Sequence, residues 1–315
     1  MQDWVEQGGF TGPAAAFQFN ASDFAYAFLS ILLQGFPFIL LGTIISGLLD
    51  QFLPAKQILN YLPKIGRFGI PIAATLGSLL PMCECAIVPV VRRLLRKGLP
   101  LPYGIAWLLA SPVVNPIVFL CTFAAFRGQQ PLAMATLRIC LGFVVAITVA
   151  AICQNLPQNK ILADRKSSNF HEFEIFPLET LGTKIAKALL LAVNDFFDVL
   201  TWFTLGAGAA ALVGTAVNYL VVNSLAINDL LAVPAMMVMA FLLSLCSSSD
   251  AFIAATFASF SAGAKLSFLI FGPMVDLKLI FMYRMIFRAK FIAEITLAIF
   301  FLVGIVCLLV SWTLG

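Results

Sequence analysis

Met82-Cys83-Glu84-Cys85-Ala86-Ile87-Val88-Pro89 sits in the middle of an apolar run, Gly69–Val91, that is otherwise long enough to cross a bilayer as a helix. A glutamate at that depth is costly. Pro71, Pro81 and Pro89 in the same run each remove a helical hydrogen bond. Basic residues flank the run on both sides, Lys56, Lys64 and Arg67 before it and Arg92, Arg93, Arg96 and Lys97 after it. A complete crossing would put these two basic segments on opposite faces, against the preference of Lys and Arg for the cytoplasmic side. A re-entrant hairpin that enters and leaves on one face, with its break at Cys83-Glu84-Cys85, satisfies both observations.

Outward from this hairpin, further apolar runs lie at Phe24–Leu49, Leu99–Phe126, Leu132–Ile152, Ile185–Val217, Leu231–Phe260, Leu266–Tyr283 and Phe291–Trp312. Of 315 residues, 61% are hydrophobic and 11% charged, whereas soluble domains carry roughly a quarter charged residues. That composition excludes a soluble enzyme, a DNA-binding module and a secreted disulfide scaffold. A net charge of +4 is too small to call for a nucleic-acid partner. Seven cysteines, odd in number and scattered, read as free thiols. The stretch before Phe24 contains Asp3, Glu6 and Asp23 but no Lys or Arg, so it is read as an external segment rather than a signal peptide.

The polar linker Cys153–Lys184, with His171, divides the chain near its midpoint, and landmarks recur on either side of it. Cys83 faces Cys246, Gly42 faces Gly206, Gly98 faces Gly263 and Pro112 faces Pro273. The separations are nearly constant, from 161 (273 − 112) to 165 (263 − 98). Ordered landmarks at one offset point to an internal repeat. With Leu231–Phe260 read as a second hairpin, broken at Ser247-Ser248-Ser249-Asp250, each half becomes span, hairpin, span, span. Three crossings is an odd number, which inverts the second half. The basic residues agree: fifteen of nineteen Lys and Arg fall in segments 50–68, 92–98, 153–187 and 284–290, all on one side in this arrangement. The expected fold is an all-α polytopic membrane protein of two inverted repeats, each with three transmembrane helices and a re-entrant helical hairpin. Residues 1–23 form an extracytoplasmic segment, 24–152 the first repeat, 153–184 a cytoplasmic linker and 185–315 the second repeat.

The hairpin breaks hold the chemistry. A half-helix that starts at a hairpin tip points free N–H groups and a positive dipole end into the membrane. Thiols placed there, Cys83 and Cys85, are activated, and two of them suit a soft ion such as Cu(I) or trivalent arsenic. Buried cysteines also serve as plain apolar filler, the reading given to Cys121, Cys140, Cys153 and Cys307. Glu84 argues against that for Cys83 and Cys85. The counterpart break supplies Cys246, Ser248 and Asp250, with serines suited to capping the half-helix. Pro112-Val113-Val114-Asn115 and Pro273-Met274-Val275-Asp276 each free a carbonyl, at Leu108 and Leu269, beside a polar side chain. Asp276 reads as functional, with Lys278 able to neutralise it between helices; the two are not neighbours on a helix face, because residues two apart point away from one another. Asp195 and Asp198 are read as interfacial, and Arg138 and Glu294 as a structural pair or snorkelling side chains.

Several of these segments resemble a known group. Cys83-Glu84-Cys85-Ala86-Ile87-Val88-Pro89-Val90, Arg92-Arg93-Leu94-Leu95-Arg96-Lys97-Gly98 and Ser111-Pro112-Val113-Val114-Asn115-Pro116 are similar to the predicted permeases of the YraQ type. That group includes organoarsenical efflux permeases. Cys246-Ser247-Ser248-Ser249-Asp250-Ala251-Phe252 and Gly272-Pro273-Met274-Val275-Asp276-Leu277-Lys278 resemble its second signature, and the likeness runs from about Ala27 to the C-terminus. It implies a multi-span permease. Where that group usually has a small polar residue between its two cysteines, this chain has Glu84.

The expected function is therefore a secondary transporter in the plasma (inner) membrane, without enzymatic activity or cofactor. It moves a small solute, a soft metal ion or thiol-reactive metalloid, past the two hairpin tips. Cys83, Glu84, Cys85, Asn115, Cys246, Ser248, Asp250 and Asp276 line the path, with Cys83 and Cys85 as metal ligands. Its partners are the solute and the lipid bilayer, no nucleic acid is involved, and a homo-oligomer is left open. Three alternatives stand beside it: a membrane dithiol oxidoreductase using Cys83 and Cys85, an anion transporter using the half-helix N-termini, and a scaffold subunit with no flux of its own.

Overall fold

A computed structural model of the chain describes residues 21–52, 69–79, 82–157, 161–162, 181–216 and 229–314. Lys56, Lys64, Arg67, Pro81, the residues before 21, most of the 153–184 linker with His171, and residues 217–228 lie outside the described residues. Within them the protein is all-helical, and the apolar runs divide into two kinds.

Four runs are single long helices: α1 (Ala21–Phe52), α6 (Pro131–Ile152), α7 (Leu181–Ala216) and α12 (Ala289–Leu314). The other four are each split in two: α2 (Gly69–Leu79) from α3 (Glu84–Arg96), α4 (Leu101–Ala110) from α5 (Pro116–Ala125), α8 (Asp229–Leu243) from α9 (Asp250–Thr256), and α10 (Ala262–Met274) from α11 (Leu277–Tyr283). The sequence of long, split, split, long therefore occurs twice in order. Among the described residues, five segments are long and apolar enough to cross a membrane: Ala21–Asp50, Pro131–Ile152, Ile185–Thr215, Ala262–Tyr283 and Ala289–Thr313. The expected crossing Leu99–Phe126 is instead two short helices.

Three of the splits have a local cause among the described residues. Pro112 lacks the N–H that would extend α4, and Pro116 pushes Asn115 into extended backbone (φ −131°, ψ 135°). Asn115 then caps α5, its side chain accepting the Ile117 N–H at 2.9 Å. In the second half Val275 and Asp276 are both extended, and Asp276 Oδ1 caps α11 through the Leu279 N–H at 2.6 Å. At the end of α8, Ser244 takes a left-handed conformation (φ 48°) that stops the helix.

α1 and α7 lie along one another, α3 packs on α1, and α11 packs on α7. α2 pairs with α4 as α8 pairs with α10, and α6 and α12 back these layers. A buried serine ties α2 and α8 each to its neighbour: Ser111 Oγ donates to the Gly77 carbonyl at 3.1 Å and Ser267 Oγ to the Val233 carbonyl at 3.2 Å. The outer surface is apolar. Leu297, Phe301, Ile305 and Leu309 form an exposed stripe of four-residue spacing on α12, and Leu29, Leu33 and Phe36 are exposed on α1, as lipid-facing helices require.

Polar contacts collect at two levels. At the end of α1, Asp50 pairs with Arg93 (3.1 Å) and Lys97 (2.9 Å) from the end of α3, while Asp195 and Asp198 of α7 hold Arg93 (2.6 Å) and Arg92 (3.2 Å). The two interfacial aspartates thus have named partners. Elsewhere, Arg288 donates its backbone N–H to the Ile161 carbonyl at 2.9 Å, tying the segment after α6 to the start of α12. The second group joins different segments: Ser311 near the end of α12 bonds Asp229 at the start of α8 and lies 3.5 Å from Ser261 before α10, and Lys265 donates to Gln129 at 3.0 Å.

Candidate functional site

The broken segment Ser244–Ser249 passes through the buried core, where exposed backbone carbonyls have no water to meet. Two buried cations meet them. Lys278 Nζ donates to the carbonyls of Ser244 (2.9 Å) and Leu245 (3.3 Å), and Arg138 Nη2 donates to the Ser247 carbonyl (3.0 Å). The Cys246 carbonyl accepts the N–H groups of Ser249 and Asp250 and the Ser249 hydroxyl. That last bond differs from expectation: Ser249 stands at the N-cap of α9, but its hydroxyl reaches back instead of capping forward.

Both cations also hold a carboxylate. Arg138, fully buried, pairs with Asp250 Oδ2 at 2.8 Å and with the Thr122 hydroxyl at 2.8 Å. Lys278 pairs with Glu84 Oε1 at 3.1 Å, and Asp276 Oδ2 lies 3.3 Å from the same ammonium. Glu84 and the two carbonyls already take the three N–H bonds of the ammonium, so Asp276 Oδ2 faces it as a charge and not as a hydrogen-bond acceptor. Glu84 and Asp250 are the first residues of α3 and α9. The helices that follow the two breaks, α3 and α9, therefore each begin with an acid, and each acid is matched by a cation from the other half of the chain.

The expected residues fall into two groups. Glu84, Asp250 and Asp276 come together with Lys278 and Arg138 around the 244–249 segment. Cys85 and Cys246 are buried free thiols, and Cys83 is a half-buried one at the start of α3. Cys246 Sγ lies 3.6 Å from Ser248 Oγ. Asn115 stands apart as the cap of α5. Among the described residues no three Cys, His, Asp or Glu side chains converge as ligands of one metal ion.

Two small residues let the backbone approach this closely. A side chain on Gly42 of α1 would meet the Ala86 carbonyl oxygen at 2.4 Å, and one on Gly206 of α7 would meet the Lys278 Cα at 2.8 Å. The paired landmarks thus set the depth of α3 and α11, the elements that carry Cys85 and Lys278.

The family model described as a predicted permease, ArsP_1, matches residues 20–312, nearly the whole chain. The chain belongs to this permease family. The "UPF0718 protein YcgR" of Bacillus subtilis is 36% identical over 267 residues, 84% of this chain and 89% of its own length. A Streptococcus mutans protein named "Putative two-component membrane permease complex subunit" is 36% identical over 288 residues, 90% of this chain and 93% of its own. No solved structure matches. The permease is a multi-pass protein of the cell membrane, as its apolar helices and its relatives indicate.

Lys278 and Arg138 are the residues of this permease that sequence reasoning undervalued. Lys278 does stand by Asp276, at 3.3 Å, because Asp276 is the extended cap outside α11 and the divergence of residues two apart holds only within a helix. Arg138 finds Asp250 and not Glu294. The available signal was compositional: Glu84, Asp250, Asp276, Arg138 and Lys278 all stand inside apolar runs, and each base in such a place needs a partner.

Proposed function

We propose that the protein is a secondary permease of two inverted repeats, 24–152 and 185–315, in which a small solute passes between the return arms α3 and α9. One observation carries this reading. The first acid of each return arm is bound by a cation of the opposite half, so the two halves cannot rock against one another without exchanging those contacts. The re-entrant hairpins are supported by their ends: α3 returns to Asp50, where α1 finished, while the segments flanking α8 and α9, at Asp229 and Ser261, both meet Ser311.

The solute is a soft metal ion or thiol-reactive metalloid. Cys83, Cys85 and Cys246 supply thiols at the two breaks, with Glu84, Ser248, Asp250 and Asp276 beside them and Asn115 holding the neighbouring helix start. Carboxylates at the starts of both return arms work against an anion as cargo. By analogy with the named Streptococcus relative, a second membrane subunit accompanies the chain, which co-purification from the native membrane tests.

The test is flux into liposomes holding the purified protein, with Cu(I) and arsenite as probes. Wild type is expected to move one of them, and Cys83→Ser/Cys85→Ser to lose it at least tenfold while keeping its thermal stability. Equal flux in the two proteins removes the thiols from the path, and no flux of either probe removes the soft-ion substrate.

A further inference from the structure

We propose that two copies of the protein pair in the membrane through the outer face of α1, with Ser30 and Gln34 each hydrogen-bonding its own counterpart across a two-fold axis. The inference goes beyond the reading above and does not depend on it.

α7 and α3 cover the inner side of α1. The outer side is open: Tyr26 is 75% exposed and Leu33 74%, and Ser30, Gln34, Pro37 and Phe38 are exposed with them. An open apolar face is ordinary for a helix in lipid, and the stripe on α12, Leu297, Phe301, Ile305 and Leu309, is of that kind. The face on α1 is not. Tyr26, Ser30 and Gln34 recur every four residues and form one polar line along the helix. Among the described residues none of the three has a hydrogen-bond partner. Pro37 leaves a further polar group on this face, because it has no N–H for the Leu33 carbonyl one turn earlier.

Depth makes these groups costly. A side chain on Gly35 would meet the Phe203 ring at 2.2 Å, and one on Gly208 the Phe28 ring at 3.8 Å. Residues 28–35 of α1 therefore run beside residues 203–208 of α7. That stretch of α7 lies five to ten residues beyond Asp198, which stands at the interface with Arg92. At 1.5 Å per residue it is about 8 to 15 Å deeper. Ser30 and Gln34 thus lie within the hydrocarbon layer, about 30 Å thick. A polar side chain facing lipid at that depth has no water to bond and is best satisfied by another helix.

The chemistry of the line says whose helix it is. Copies of one membrane protein share one orientation, so a two-fold axis along the membrane normal brings residues of equal depth together. Each side chain near that axis must then suit itself. A carboxylate or an ammonium would repel its own copy, whereas an amide or a hydroxyl both donates and accepts. Ser30 and Gln34 are of the second kind, and the acids of α1, Asp23 and Asp50, stand near its two ends. A neutral, self-complementary line at one depth fits a second copy of this chain, a demand that an unlike subunit does not make.

Energy transfer between dye-labelled copies tests this without knowledge of the cargo. Full-length protein is placed in phosphatidylcholine vesicles and diluted stepwise with lipid. Wild type is expected to form a dimer that dissociates on dilution. Gln34→Leu should weaken it by about threefold or more, the added change Ser30→Ala should weaken it further, and Phe301→Leu on α12 should leave it unchanged. In a background stripped of native cysteines, Gln34→Cys should form a disulfide-linked dimer under mild oxidation and Phe301→Cys should not. No transfer above random proximity in wild type, equal dimer strength in Gln34→Leu, or a cross-link at position 301 and not at 34 each overturns the proposal. Pairing of this face only with an unlike subunit co-purified from the native membrane overturns it as well. Should Gln34→Leu not fold, the cross-links at the two positions decide.

Discussion

Arg138 Nη2 stands 2.8 Å from Asp250 Oδ2, in a pair that joins α6 to the first residue of α9 across 112 positions of sequence. Neither side chain reaches water or lipid. Removing one member of such a pair leaves the other as an isolated buried charge, a penalty of about 3–5 kcal/mol.

Asp250→Ala should accordingly be among the most destabilising single changes in the protein. Asp250→Leu combined with Arg138→Met should recover more than half of the loss, because two apolar side chains leave no charge behind. Thermal unfolding in detergent reads both. If the double variant is no more stable than Asp250→Ala, the pair is not the reason for the loss.

The glycine contacts give a second expectation. Gly42→Ala and Gly206→Ala force a methyl group into backbone atoms at 2.4 and 2.8 Å, and overpacking of this kind costs about 1–3 kcal/mol. Gly214→Ala, in the same helix as Gly206 but with nothing within 4 Å, should raise stability by up to about 1 kcal/mol. A melting temperature that falls in all three would disconnect the effect from these contacts.

Asn115 separates a capping role from a ligand role. Asn115→Asp keeps an oxygen for the Ile117 N–H and should leave stability and flux near wild type, whereas Asn115→Ala should lose about 1 kcal/mol. Flux abolished in a stable Asn115→Asp protein would make the amide itself part of the solute path.

Topology is open to labelling. In a background stripped of native cysteines, Asp50→Cys and Lys97→Cys should react with a membrane-impermeant thiol reagent from the same face, and Gln129→Cys and Ser261→Cys from the other. Reaction of positions 50 and 97 from opposite faces would mean that α2 and α3 form a crossing and not a hairpin.

The apolar runs and the breaks at Cys83 and at Ser247-Ser248-Ser249 were legible in the sequence, because each is a local property of composition. Contacts between halves were not. The Lys278–Glu84 pair spans 194 positions, and no spacing rule reaches that far. The Asp276–Lys278 contact is legible as a neutralisation and not as a direct neighbour contact: the i, i+2 rule assumes an unbroken helix, and Asp276 lies in extended backbone just before one. Gly42 and Gly206 were recognised as paired markers, and both prove to be close contacts. They admit different partners, however, Ala86 of α3 in one case and Lys278 of α11 in the other. Equal spacing along the chain did not become equal packing.

The salt bridges of α7 have one more consequence, for the lipid. At 1.5 Å per residue the 36 residues of α7 extend about 54 Å, far beyond a hydrocarbon layer of about 30 Å. Asp195 and Asp198, pinned to Arg93 and Arg92, mark where along that length the headgroups must lie. The described helix beyond Asp198, Val199–Ala216, already measures about 27 Å, most of the way across an ordinary bilayer. Acyl chains much shorter or longer than this would either uncover apolar helix or drag the charged cluster inward. The length of the surrounding lipid chains is thus expected to act on this charge cluster and, through Arg92 and Arg93, on the helix that carries Glu84.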